Sequence, residues 1–513
     1  MRRSFVLIFV FALLLAGACR RNNSEFVTVA LPEPFSTFDT LTTEKSDAAA
    51  ERVRNLIFNS LIRKNENFEY VGELASDIKT SDDGKVVTMA LRDAKFHNGK
   101  AFTSADVKYT FDELFRTKGY KSFAFFDTVN KETTPHIVSI ETPDPKTVVF
   151  NIQRPALRNQ LLSNLVAIPI IPEGSAEQQK AAPVGSGPFR FVSFNQSQNT
   201  VELASNLDYW EGAPKVAKLR IKTVTDASAL QAELQTGGVD IAPNPSNMPP
   251  DAIAALKGMP NLGIQQFPGS NIQYIGLNTQ SPPLDNAKVR QAIGYAVDRE
   301  KIISELLGGQ AKIANSILPE SSWAYTPGTV YKYDPVKAKQ LLQEAGYKGE
   351  PIKFKYASGQ ASYSQYSQAI QSSLNEAGLN VQIETLEAGT LRSDLAQGKF
   401  QLSTGVWIGG NQDPIFLRDL FTSGHIPSES VACCNRSRYS NPELDKILEH
   451  AVNEPDREKA KQLYVQAWQI ISSDLPLLPL WYPANIVVAN KRVGNIKISP
   501  SGDWGFLKDI TVQ

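Results

Sequence analysis

The sequence predicts an α/β protein of more than one lobe, with mixed β-sheets flanked by helices. Three observations carry the prediction. From Ile352 to Ile408, strand-like and helix-like segments alternate as β-α-β-α-β, the pattern of a parallel sheet. Elsewhere, short alternating stretches bounded by turn residues read as further strands; Lys85–Leu91 after Asp82-Asp83-Gly84 is the clearest. The third observation is size. The chain has 513 residues, 42% of them hydrophobic. A domain of ordinary size is roughly 100–200 residues, so two or three are expected, each with its own core.

In order, Phe26–Leu31 reads as a strand ended by Pro32 and Pro34. Residues 46–62 place Val53, Leu56, Ile57 and Leu61 at helical spacing. After Lys85–Leu91 and Phe96, the run Thr103-Ser104-Ala105-Asp106 opens a helix with Val107, Thr110, Phe111 and Leu114 on one face. Residues 145–153 and 189–204 are strand-like, separated by a Pro- and Gly-rich crossing at 167–188. Tyr209–Gly212 is a turn, Leu219–Val224 a strand, and Ala229–Leu234 a short helix closed by Gly237-Gly238. Asp334 as N-cap, Pro335 at the first helical position and Gly346 past the end frame another helix. The strand around Ile352, Phe354 and Tyr356 follows, then a helix ending at Gly378, a strand at Val381–Leu386 and a helix over Leu391–Gln397. The series closes with a strand over Leu402–Ile408 that runs into Gly409-Gly410-Asn411. Ligands of open α/β sheets collect beyond the carboxyl ends of strands, so Trp407–Asp413 lies where a ligand is expected. Helices opening at Asn441-Pro442 and spanning Asp456–Ser472, a Leu/Pro-rich Leu475–Tyr482, and a strand at Asn485–Asn490 complete the chain.

Composition excludes several functions. There are 53 Lys plus Arg and 53 Asp plus Glu, a formal net charge of zero, without the basic excess of nucleic-acid binders. The histidines, at 97, 136, 425 and 450, have no metal-ligand spacing, so neither metal nor cofactor is expected. His97, between a strand residue and an Asn-Gly turn, reads as structural. No phosphate-binding GxxxxGK[ST] occurs, and Gly185-Ser186-Gly187 lacks the spacing of a nucleophile elbow; an enzyme is not expected.

The N-terminus has the form of a signal peptide over residues 1–18. Arg2 and Arg3 precede an apolar run, Phe5–Ala18, that is short of the roughly 20 residues of a membrane span. Leu15-Ala16-Gly17-Ala18-Cys19 resembles a bacterial lipobox, with the Leu one position farther from the Cys than usual. Lipidation of Cys19 is expected; the alternative is ordinary cleavage near Ala18. Two acyl chains suffice for stable anchoring. The remaining cysteines, Cys433 and Cys434, are adjacent. They form either a vicinal disulfide or a thiol pair, and a structural role is favoured over metal binding.

Several segments resemble the large solute-binding protein family of peptide and nickel ABC importers. They are Phe38-Asp39, Gly72-Glu73-Leu74-Ala75, Ser81–Lys85, Leu91-Arg92, Phe96–Gly99 and Thr103–Val107. Gly185–Phe189, Asn206–Trp210, Gly238–Ile241, Val289–Ala292 with Ala296–Arg299, and Tyr439–Glu443 follow in the family's order. The resemblance covers nearly all of the mature chain. It implies a type II periplasmic-binding-protein-like fold, bilobal with an extra third domain and closing on a hinge. The first domain is discontinuous: 19–45, 169–268 and 488–513 in domain I, 46–168 in domain II, 269–487 in domain III.

The resemblance also implies a function. The expected protein captures a peptide or similar small solute in an interdomain cleft and delivers it to ABC permease subunits. It works as a monomer, periplasmic or at the cell surface, held to a bacterial membrane by its lipid. Two segments face the ligand: Pro34, Phe35 and Ser36, and the strand end Val406, Trp407, Ile408, Gly409, Gly410 and Asn411. Phe35 is either an apolar wall of the cleft or a packed core aromatic; Trp407 either stacks on the ligand or packs between domains. In peptide-binding members a carboxylate three residues after the Trp holds the peptide's α-ammonium. Gly410 stands there in this chain. Since a buried ammonium without a counter-charge costs several kcal/mol, either the ligand lacks that charge or another acid supplies it. Asp413 matches a separate acidic position and reads as structural. An oligosaccharide or other neutral solute is the alternative ligand, and an exported hydrolase the remaining alternative function.

Overall fold

A computed structural model describes residues 26–43, 47–129, 132–155, 157–358, 361–409, 412–428 and 434–513. Cys19, Gly410, Asn411 and Cys433 lie outside them. Three sheets organise the described chain. The first has seven strands in the order Phe189–Asn195, Thr200–Ser205, Lys218–Thr223, Val27–Leu31, Ile241–Pro243, Asn485–Asn490, Leu262–Phe267. Its inner strand Val27–Leu31 is buried at every residue and pairs parallel on both sides, which suits its unbroken Val/Ala/Leu sequence. The strand-like stretch 189–204 is a hairpin of two strands.

The second sheet is four-stranded and antiparallel, in the order Ala75–Thr80, Val86–Leu91, Thr147–Ile152, Ile137–Asp144. The helix Ser104–Thr117 packs beside its last two strands. Asp106, wholly buried, closes that helix's capping box with Thr103. One hydrophobic cluster runs continuously from Val29 and Leu56 of the first sheet's surroundings to Phe111 and Phe150 of the second.

The third sheet has six strands: Ala311–Ile313, Leu477–Pro483, Ile272–Leu277, Leu402–Trp407, Pro351–Ala357, Asn380–Leu386. The β-α-β-α-β series forms its parallel part, Pro351–Ala357 pairing parallel with both partners. Ile272–Leu277 is antiparallel to both of its neighbours, so the sheet is mixed. Separate clusters fill the two faces, one around Ile275, Ile293, Phe354 and Ile370, the other around Ile272, Leu448 and Trp468.

Two expectations change. The helix expected over 46–62 spans Ala48–Ile57, capped by Asp47, and Ile62–Lys64 is a strand. It stops where the Gly187 N–H donates to the Ile57 carbonyl at 2.8 Å. Gly187 serves close approach, since a Cβ there would lie 2.6 Å from the Ile57 carbonyl carbon. The Leu/Pro-rich Leu475–Tyr482 overlaps the buried strand Leu477–Pro483, which holds Pro479 beside a register shift in its pairing with Ile272–Leu277.

The chain crosses between the seven- and six-stranded sheets at 268–271 and at Ala484. The crossings touch: a Cβ on Gly269 would sit 1.9 Å from the Pro483 carbonyl oxygen. Asn485 ties them to the C-terminal segment, its side-chain N–H groups donating to Pro268 O and Ser499 O, both at 3.0 Å.

Candidate functional site

Strand Leu402–Trp407 brings Val406 and Trp407 to the edge of the third sheet's packing, both half-buried. Its neighbour Ile408 is 69% exposed, a large apolar side chain left in the open. Gly409 follows at φ +74°, and a Cβ built there would meet nothing within 4 Å. Past the segment outside the description, Gln412 is buried and its amide donates to Ser270 Oγ at 3.1 Å, joining the strand end to a crossing segment.

Trp407 lies parallel to the Tyr274 ring at 6.0 Å between centroids and edge-on to Phe416 at 5.0 Å. The Arg436 guanidinium stands 5.7 Å from its ring centroid. The indole N–H is buried without a hydrogen-bond partner among the described residues. These contacts are within the third sheet's own lobe.

Beside Gly409 opens a pocket of about 200 Å³. One wall comes from the six-stranded lobe, with Asp413, Phe416 and Arg418. The other comes from the region of the four-stranded sheet, with Lys64, Gln160 and Ser163. Two contacts cross between these walls. The Tyr70 hydroxyl donates to the Asp413 carboxylate, which also accepts from the Ile415 N–H at 3.0 Å. Arg457 pairs with Glu69 at 2.8 Å. Burial first, then Asp413, raises the Tyr70 phenol well above its usual range, so it stays a donor. Asp413 therefore has a structural role and also faces the pocket.

The N-terminal candidates sit elsewhere. Phe35 is 4% exposed and packs on Phe38 and Phe194 at 4.5 and 5.2 Å between centroids, while its backbone exchanges hydrogen bonds with the Asn199 side chain. Pro34 and Ser36 are exposed, and Ser36 bonds to Asp47. None of the three lines the pocket. Sequence reading passed over Lys64, Tyr70, Gln160 and Ser270: none sits in a motif, and Tyr70 meets its partner 343 positions away.

His97 and Glu73, both within resembling motifs, have internal roles. His97 Nε2 donates to the Gly187 carbonyl at 3.0 Å and Nδ1 accepts from Gly185 N–H at 3.3 Å; burial lowers its pKa to about 4. Glu73 accepts from Ser60 N–H at 2.7 Å and Asn59 Nδ2 at 2.8 Å, and burial raises its pKa to about 7. Cys434 is disulfide-bonded. No group of three or more His, Cys, Asp or Glu able to hold a metal occurs among the described residues.

Lobes joined by paired crossings, with a pocket where the six-stranded lobe meets the region of the four-stranded sheet, suit a protein that binds a ligand. Residues 69–428 match the family model of bacterial extracellular solute-binding proteins, family 5 middle region, and the chain belongs to that family. It is a binding protein and not an enzyme. It is 28% identical to heme-binding protein A of Haemophilus influenzae over 96% of this chain and 92% of that protein. Glutathione-binding protein GsiB of Salmonella typhi is also 28% identical, over 94% and 93%. Among solved structures, the ABC transporter substrate-binding protein CtaP of Listeria monocytogenes superposes with a TM-score of 0.82 at 22% identity, covering 95% of this chain and 99% of that one. The fold is the type II periplasmic-binding-protein fold, of mixed sheets flanked by helices.

Proposed function

We propose that the chain is the lipid-anchored substrate-binding subunit of an ABC importer, capturing a peptide or similar small solute between its lobes and delivering it to the permease. The observation that carries this reading is the end of strand Leu402–Trp407, which opens at Gly409 onto an interlobe pocket and is tied through Gln412 to the crossing segment. A ligand lying along such a strand end is read through main-chain hydrogen bonds, which favours peptides. The relative named for glutathione, itself a small peptide, supports the same class.

In this reading the lobes divide as 19–45, 169–268 and 488–513 (domain I), 46–168 (domain II) and 269–487 (domain III), and closure occurs about the two crossings. Val406 to Asn411 face the ligand. Pro34 and Ser36, exposed on either side of the buried Phe35, lie apart from that pocket. Cys19 carries the lipid that holds a monomer to the outside of a bacterial membrane. Gly410 in place of a carboxylate favours a second reading, a receptor for a solute without an α-ammonium, such as an oligosaccharide.

A thermal-shift screen of residues 24–513 against di- to pentapeptides, glutathione and oligosaccharides tests both. A ligand present at 100 times its Kd raises stability by about 2.7 kcal/mol. Shifts with peptides support the first reading; shifts with sugars alone replace it with the second.

A further inference from the structure

We infer that the interlobe pocket beside Gly409 is an anion subsite in which the Lys64 ammonium receives a carboxylate of the bound solute. The inference rests on the peptide-binding reading and names the chemistry of its ligand.

Lys64 ends the strand Ile62–Lys64 and lines the pocket, its Nζ 5.7 Å from the Tyr70 ring centroid. The other charges of the pocket have partners. Arg418 pairs with Asp419 at 2.9 Å. Asp413 accepts from both Tyr70 and the Ile415 N–H. Lys64 has no carboxylate within 4.0 Å among the described residues, although burial disfavours its charged form and only Asp413, at longer range, opposes this. A partly dry ammonium lacking a counter-ion gains most from an anion entering beside it. Gln160 stands on the same wall, on the helix Leu157–Leu165, and adds a polar group for the remaining oxygen, while Ser163, one helical turn on, is hydrogen-bonded to Tyr70. Gly409 lines the same pocket, and nothing among the described residues lies within 4 Å of a Cβ built on it.

The carboxylate can come from an acidic side chain or from a peptide C-terminus. The experiment separates them with alanine tetrapeptides carrying Glu or Gln at each position in turn, each made as free acid and as C-terminal amide. Binding to residues 24–513 is measured by calorimetry for the wild type, Lys64→Met and Lys64→Arg. The expected result is one position at which Glu binds roughly tenfold more tightly than Gln, or a similar advantage of free acid over amide. Lys64→Met abolishes that advantage, and Lys64→Arg retains most of it. Tetrapeptides that bind without any preference for the acid, or a preference that survives Lys64→Met, would overturn the subsite and leave the peptide reading standing. No binding by any tetrapeptide would remove the peptide reading and the subsite with it.

Discussion

His97 and Glu73 lie in neighbouring parts of the same core region, and burial moves their pKa values in opposite directions. For His97 the folded value, about 4, lies below the ordinary 6.5. Between those limits the unfolded chain takes up a proton that the folded chain refuses, so His97 weakens the fold as pH falls through 6.5 towards 4. Glu73, raised from 4.5 to about 7, does the reverse. The folded carboxyl keeps its proton where the unfolded one has lost it, so stability falls as pH rises from 4.5 to 7. The two contributions oppose each other over the shared window. Urea melts from pH 4.5 to 6.5 check this. Relative to wild type, His97→Gln should gain stability towards pH 4.5, and Glu73→Gln should gain towards pH 6.5, each by about 1–3 kcal/mol across the window. Parallel profiles for all three proteins would show that neither group titrates as stated.

The segment Val289–Arg299 shows why a family motif can carry no ligand chemistry. Its two arginines are almost wholly buried. Arg290 donates to the backbone carbonyls of Asp474 and Leu284, both at 2.8 Å. Arg299 donates to Ala314 O at 2.6 Å, Pro479 O at 3.0 Å and Tyr331 O, so one guanidinium joins a helix start to strand Leu477–Pro483 and the preceding loop. Burial lowers the Arg299 pKa to about 10 and still leaves it charged at neutral pH. A lysine keeps the charge but cannot reach separate carbonyls from a planar fork. Arg299→Lys should therefore cost about 2–4 kcal/mol, read as a lower urea midpoint at unchanged m-value. A loss below about 0.5 kcal/mol would mean that the fork is not needed.

At the scale of the molecule, the first two sheets share one hydrophobic cluster, while the six-stranded lobe has its own. The six-stranded lobe meets the first at two crossings and through hydrogen bonds such as Gln266–Gly309, and the second through Tyr70–Asp413 and Glu69–Arg457. The relative strength of these contacts follows from exposure. Arg457 and Glu69 are 49% and 37% exposed, and such a surface pair contributes about 0–1 kcal/mol. The half-buried phenol-carboxylate bond contributes about 1.5–3 kcal/mol. Tyr70→Phe should therefore loosen the ligand-free protein more than Arg457→Ala, seen in solution scattering as the larger increase in radius of gyration. Equal radii for both variants and wild type would show that these contacts do not hold the lobes together.

Local sequence signals determined much of this architecture. The parallel part of the third sheet, the caps Asp334 and Asn441, and the strand ending at Trp407 were legible because periodicity and capping act within a few residues. The strand Ile272–Leu277 was not, because its unbroken buried run lacks alternation, and Leu477–Pro483 was masked by its prolines. Of the candidate site, the strand end was readable as a place where ligands collect, yet the wall facing it was not. Phe35 has the same composition-level signature whether it lines a cleft or, as here, packs on Phe38 and Phe194. The pocket's charges belong to the same class. Lys64 and Asp413 become neighbours of one cavity only when distant segments fold against each other, and whether an ammonium has a counter-ion depends on distances that no local pattern encodes.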